Sequence, residues 1–432
     1  MSMFASLGVR NYRLFASGQL VSLTGTWMQR VAQDWLVLVL SGNSGTALGI
    51  ATGLQFLPIL LFSLVGGVLA DRYSKRRLLI ISQAASGLTA LTLALLDLGG
   101  VVTLWQVYLL AFALGAASAI DMPVRQAFVS ELVGQEHITN AVALNSATFN
   151  TARIIGPAIA GVLIGTSGTG VVFLLNAGSY LAVIAGLAMI RDRELSMGRR
   201  AERGPGQIRA ALAYVRVRPH LLLPIVLAGI VGTFGFNFQM TTALLAKGTF
   251  HRSASGYGML STLLAVGSLG GALLAARRRQ VRHRLLVGSS IVFGALTVTC
   301  GLMPSYLSFA VMLVPTGMAA LTFATAANTT VQLGSSAAMR GRVMALYLLV
   351  FAGGTPIGAP LIGWVAEQLG ARASLLVGGG VSALAGVVIA VVMARTAHVS
   401  VVARLRPRPA LHLRTEPSET GDPAAFGEVR SA

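Results

Sequence analysis

Long apolar runs cut by short polar segments dominate the chain, and the runs have the length of membrane spans. A hydrocarbon layer about 30 Å thick takes about 20 apolar residues as a helix. Runs of this kind fall at 14–40, 46–70, 78–98, 104–121, 141–165, 170–190, 220–246, 257–276, 285–303, 306–328, 343–367 and 372–394. They predict an all-α integral membrane protein of twelve transmembrane helices, because a backbone in lipid must satisfy its own hydrogen bonds. The first run carries Arg30 and Asp34 and is too long for a cleavable leader, so it reads as a span. Two stretches are too polar for lipid. Residues 191–219 form a basic linker, in which Ile208 to Val217 suits a short helix on the membrane surface. Residues 395–432, rich in Pro, Arg and Glu, read as a disordered tail.

The two sets of six spans repeat each other. Gly115 answers Gly317, Ala143-Leu144 answers Ala345-Leu346, and Gly156 and Gly161 answer Gly358 and Gly363, all at an offset of 202. Gly66-Gly67 likewise precedes one basic loop and Gly270-Gly271 the other. The chain therefore divides into a six-helix half at 1–190, the linker at 191–219, a second half at 220–394 and the tail. Such duplication suits alternating access, in which two halves rock about a site between them.

Composition agrees with the pattern. Of the 432 residues 54% are hydrophobic and 11% charged, where a soluble domain carries about a quarter charged positions. The formal net charge of +19 would suit a nucleic-acid binder were it not so placed. Of 33 basic residues, 28 lie in the termini, the linker and alternate loops. This bias puts both termini in the cytoplasm of a multi-pass protein of the cell membrane and implies no nucleic-acid partner. Trp35, Trp105 and Trp364 fall near the opposite ends, where interfacial anchors belong. Cys300 is the only cysteine, which excludes an intrachain disulfide and a CxxC metal or redox site. No GxxxxGK[ST] loop is present, and no paired carboxylates or His cluster lie in the spans, so neither an ATP-driven pump nor an enzyme is indicated.

One loop is distinctive. Gly67-Val68-Leu69-Ala70-Asp71-Arg72-Tyr73-Ser74-Lys75-Arg76-Arg77 joins spans 2 and 3. It resembles the signature loop of the major facilitator superfamily, with Ser74 where Gly is usual. Asn11-Tyr12-Arg13-Leu14, Asp121 to Val133, and Asn140-Ala141-Val142 resemble the exporter branch that contains enterobactin exporters and related secretion and drug-efflux proteins. The resemblance implies two pseudo-symmetric six-helix halves, working as a monomer, that export an amphipathic small molecule, siderophore-like or drug-like. It also implies that Gly67, Asp71, Arg72, Lys75 and Arg76 form a gating loop that latches the halves in one state. The second copy has Ala275-Ala276 in place of the acid and base, so the latch belongs to the first half. In span 5, Gly156-Pro157-Ala158-Ile159-Ala160-Gly161 resembles an exporter-associated motif, in which Pro157 would kink the helix.

Ionisable groups inside lipid narrow the chemistry. Asp34 is the one acid well within a span, four residues from Arg30 on the same helix face, and Arg153 lies at similar depth in span 5. A charge there costs a few kcal/mol at least and normally faces a cavity with a partner. Asp34 is therefore the candidate proton-coupling carboxylate, with Arg30 and Arg153 as its ion-pair partners; a purely structural ion pair is the alternative. The expected energy source is a proton gradient, as in an antiporter, with no cofactor and no metal. Asp121 and Arg125 are a candidate inner gate. Gln29, Gln33, Gln55, Asn145, Asn150, Asn237, Gln239 and Asn328 are candidate cavity-liners, although a polar group of this kind is more often an interhelical hydrogen bond than a substrate contact. A facilitator or importer of a small metabolite, or a non-transporting receptor, fits the same pattern.

Overall fold

The computed structural model describes residues 5–195, 207–276, 283–396, 399–404 and 410–415. Span 1 is Arg10–Leu40, span 2 Gly45–Arg72 and span 3 Lys75–Leu98. Helical hydrogen bonding then runs on from Leu104 to Ala188, but Gly134 and Gly168 interrupt it with φ of 67° and 82°. Glycine takes this left-handed conformation at no steric cost. The two breaks divide the stretch into spans 4 (104–133), 5 (135–167) and 6 (169–188).

The packing partners confirm that the chain reverses at these glycines. Tyr12 donates to the carbonyl of Ala141 at 2.9 Å, and Gly156 sits against Thr24, so span 5 runs parallel to span 1. Gly18 meets Ala182 and Val183, whereas Gly25 meets Asn176, so span 6 runs antiparallel to it.

Beyond the linker, span 7 is Pro219–Thr249, span 8 Ala254–Ala276, span 9 His283–Leu302, span 10 Tyr306–Gly334, span 11 Arg340–Leu369 and span 12 Ala371–Thr396. Among the described residues, ten helical stretches have the length and hydropathy to cross a membrane. One of these, Glu136–Ala188, holds spans 5 and 6, and the more polar span 1 completes the twelve. Trp105 and Trp364 are exposed, as membrane-interface anchors should be.

The duplication is visible in three dimensions. Gly115 seats against the carbonyl of Gln55 as Gly317 does against that of Leu264, and Gly156 against Thr24 as Gly358 against Thr233. At Gly115, Gly317 and Gly358 the neighbouring carbonyl occupies the place of a Cβ, and at Gly156 the Trp27 Cβ does. The glycines are offset by 202 and their partners by 209. Spans 1 and 2 therefore match 7 and 8 at a spacing seven residues larger, and Gly66, not Asp71, corresponds to Ala275.

Several boundaries differ from the apolar runs. Span 4 continues to 133 past the end at 121, because the helix outlasts the lipid and the charge of Asp121 is met locally. Span 7 is divided: π-turns at Val231–Gly235 and Leu245–Thr249 flank a short helix, Phe238–Leu244. Span 11 breaks at Gly354, before Pro356. Helical dihedrals persist through Pro157, so the helix continues across it to Gly168. The linker holds the short helix Gln207–Arg216, with Ala211 and Val215 buried. Within the expected tail, Val399–Arg404 and Ala410–Thr415 pair as an antiparallel hairpin, a correction for which the β-branched Val399, Val401 and Val402 give a reason. The remaining tail residues, most of the linker's polar stretch and 277–282 lie outside the described residues.

Candidate transport site

The halves meet at the end of the bundle away from the chain termini. Gly45, Gly49 and Gly53 of span 2 lie against Gly363, Ala359 and Pro356 of span 11. Gly161 of span 5 lies against Ser255 and Gly258 of span 8. Small residues let these backbones touch, which is how helices associate without a hydrophobic drive between them.

Among the described residues, four hydrogen bonds cross between the halves, all toward this end. Glu367 accepts from Ser44 Oγ at 2.7 Å and from the Thr46 amide at 2.9 Å. Its carboxylate thereby sits at the start of span 2, where the helix dipole favours negative charge. Thr262 donates to the carbonyl of Ile154 at 3.1 Å. The fourth is buried: the Tyr257 hydroxyl of span 8 donates to Asp34 Oδ2 at 2.7 Å and approaches the carbonyl of Gln239 at 3.2 Å.

Asp34 is 7% exposed and Tyr257 0%. The carboxylate lies six residues from the end of span 1, about 9 Å at the helical rise. It joins span 1, span 8 and the divided part of span 7. There Asn237 donates to the carbonyls of Thr233 at 2.8 Å and Phe234 at 3.3 Å, while its own Oδ1 is buried without a partner.

The predicted ion pair is absent. Arg30 and Asp34 are not among the four ion pairs of the described residues, and Arg153 pairs with neither. Side chains on a helix lean toward its N-terminus, and Arg30 lies over Trp27, 4.7 Å from the ring centroid, with Phe56 at 5.9 Å, near Asp34 electrostatically but beyond ion-pair distance of it. Arg153 Nε and Nη2 and Arg30 Nε are buried without hydrogen-bond partners.

Comparison with known proteins decides the family. A family model described as transmembrane secretion effector matches residues 1–418. An enterobactin exporter of Citrobacter koseri is 28% identical over 319 residues, 73% of this chain and 76% of that protein. A staphyloferrin A transporter of Staphylococcus aureus is 26% identical over 258 residues, a match that spans 60% of this chain and 64% of that one. The chain belongs to the major facilitator superfamily. It is a membrane transporter and not an enzyme. The fold agrees with solved transporters. A peptide transporter of the POT family superposes with a TM-score of 0.73 at 14% identity, over 90% of this chain and 98% of that one. A bacterial homologue of the iron transporter ferroportin, in an inward-facing state, gives 0.70 at 16%, over 88% and 98%.

The superfamily's signature loop serves the first half internally in this conformation. Gly67 is buried, but it is Gly66 that meets the carbonyl of Ala119 in span 4. Asp71 stands in the last turn of span 2; its side chain lies outside the described part. Arg72 is exposed. Lys75 pairs with Glu131 at 2.6 Å. Arg76 donates to the carbonyls of Leu187 and Ala188, both at 2.7 Å, and pairs with Asp192 at 2.8 Å. Arg76 thus caps span 6, where the helix dipole favours a cation. All these partners belong to the first half or the linker's start. Asp121 and Arg125 do pair, and Asp121 also accepts from Ser82 at 3.0 Å and Gln83 at 2.7 Å of span 3. In this conformation the cluster is a buried fastening of spans 3 and 4.

The candidate cavity-liners sort unevenly. Gln33 donates to Gln55 at 3.2 Å, linking spans 1 and 2. Gln29 accepts from Asn176 of span 6 and is therefore an interhelical fastener. Asn150 turns back to the carbonyl of Ser146 at 2.9 Å. Gln239 contributes its carbonyl to Tyr257, whereas Asn145 and Asn328 are half-buried. Sequence reasoning missed Tyr257 and Glu367 as bridging residues. The available signals were a buried carboxylate that needs a donor, and an acid at a span end facing the start of another helix.

Proposed function

We propose that the protein is a proton-coupled exporter of a small amphipathic molecule, siderophore-like or drug-like, and that Asp34 carries the coupling proton. The observation that carries this reading is the buried Tyr257–Asp34 hydrogen bond between the halves. A carboxylate in lipid is costly when charged, and Asp34 is held here by a donor from the opposite half. Opening that end removes the donor and exposes the acid to the other aqueous side, so proton occupancy and conformation are linked. With both termini cytoplasmic, as the basic residues favour, the closed end is the outer one and the cavity opens inward. Substrate then loads from the cytoplasm and leaves as a proton enters. The relatives whose names specify an enterobactin exporter and a staphyloferrin A transporter support a siderophore-like substrate. The protein then works in the cell membrane as a monomer.

The test is substrate accumulation in cells lacking the protein, complemented by wild type or by Asp34→Asn. Wild type should lower accumulation of the exported compound and the variant should not. Full export by Asp34→Asn would remove Asp34 from the mechanism.

A further inference from the structure

We infer that Arg30 is the alternative partner of Asp34: it takes the carboxylate over from Tyr257 when the outer end opens, and holds it charged until a proton arrives. The biological role of this exchange rests on the coupling reading above; the exchange itself does not.

The partners of Asp34 divide by half. Its donor, the Tyr257 hydroxyl at 2.7 Å, belongs to span 8, and the Gln239 side chain that also faces it belongs to span 7. Both leave with the second half when this end opens. Among the described residues the cation coupled to Asp34 is Arg30, on its own helix. Arg153 has no such coupling and is no candidate. Arg30 is surrounded by the first half alone: it lies over Trp27 and Phe56 and is coupled to Tyr180. It therefore stays one turn from Asp34 whichever end is open. It is also uncommitted. Its Nε is buried without an acceptor, and no ion pair of the described residues includes it. Side chains four apart on a helix are neighbours, so a change of rotamer is enough to join the two. A carboxylate stripped of its donor gains from the guanidinium, and the guanidinium N–H gains its missing acceptor in the same step.

The exchange has a direction. With the outer end open, the ion pair keeps Asp34 ionised and withholds it from Tyr257. A proton from outside neutralises the carboxylate and breaks the pair. The neutral acid then keeps an oxygen to accept from Tyr257 as the end closes, and Arg30 returns to Trp27. Closure without a proton must first break the ion pair, which opposes an empty return of the carrier.

The test is a mutant cycle on the full chain in nanodiscs. Spin labels at the exposed Asn43 and Gln368, with Cys300→Ala, read the open-to-closed ratio. The pH is held at about 8, far above the ordinary carboxylate range. Arg30→Gln should lower that ratio about threefold or more, the effect of a partly exposed ion pair lost from the open state, whereas Tyr257→Phe should raise it. Arg30→Lys should restore part of the open population. In an Asp34→Asn background Arg30→Gln should change nothing further, because the pair needs both members. A ratio that rises or stays constant in Arg30→Gln would overturn the inference, and so would a fall that persists with Asp34→Asn. A second measurement leaves Arg30 in place. In a chain whose only tryptophan is Trp27, Gly49→Leu should change the emission as the arginine leaves the ring, and Asp34→Asn should abolish that change. Emission that ignores Gly49→Leu, or responds equally with Asp34→Asn, would contradict the exchange. Full export by Asp34→Asn would refute the coupling reading and leave these results standing, so the two can fail separately.

Discussion

Tyr257 and Asp34 carry the bond on which the transport reading turns, and each has a distinct expected phenotype. Tyr257→Phe keeps the ring and its packing but removes the donor. A buried acid that loses its hydrogen bond is destabilised by about 1–3 kcal/mol, and by more when charged, while the other contacts between the halves remain, so closure at that end should weaken and not vanish. Spin labels at the exposed Asn43 and Gln368, placed in a Cys300→Ala background, should report a larger open fraction in Tyr257→Phe than with Tyr257 intact. An unchanged distance distribution would show that the bond does not bias the conformation. Asp121 predicts differently. It is buried against Ser82, Gln83 and Arg125, so Asp121→Ala strands the Arg125 charge. Removing one partner of a buried pair costs about 3 kcal/mol or more, which should lower the melting temperature in detergent clearly. A melting temperature equal to wild type would contradict a fastening role for this cluster.

Among the elements, the glycine contacts explain why the two halves can close. A Cβ at Gly49 would run into the carbonyl of Ala359, and one at Gly258 into that of Pro157. Gly49→Leu or Gly258→Leu should hold this end apart, with transport lost while the protein still inserts and each half still folds. Retained transport in both variants would show that such close approach is not required. The same elements show how much could be read in advance. Twelve spans, the halves, the linker helix and the repeated glycines were legible, because apolar length and small-residue spacing record lipid thickness and helix contact directly. The break at Gly134 was hidden, since a helix leaving the membrane keeps its hydrogen bonds and only one residue changes its φ. The predicted pairing of Arg30 with Asp34 failed for a related reason. A four-residue spacing permits contact, but the competing Tyr257 hydroxyl lies 223 residues away in sequence, beyond any local pattern. Glu367 and Ser44 met across the halves for the same long-range reason.

For the whole molecule, the pattern of contacts describes one state of a two-state device: joined at the end remote from the termini, with no hydrogen bond between the halves nearer the termini among the described residues. Orientation can be checked by labelling Asn43→Cys and Ser74→Cys in a Cys300→Ser background with a membrane-impermeant maleimide on intact cells. Labelling at 43 and protection at 74 is expected, and the reverse would invert the topology and with it the direction of transport. Coupling is the claim that matters most, and reconstitution tests it most directly. Proteoliposomes holding the wild type or Asp34→Asn would be given a substrate and an imposed pH gradient, and uphill flux and equal-gradient exchange would be measured in parallel. Wild type should concentrate substrate against its gradient at the expense of the proton gradient, and Asp34→Asn should exchange substrate but concentrate none. Uphill flux by Asp34→Asn, at the wild-type rate, would contradict the account.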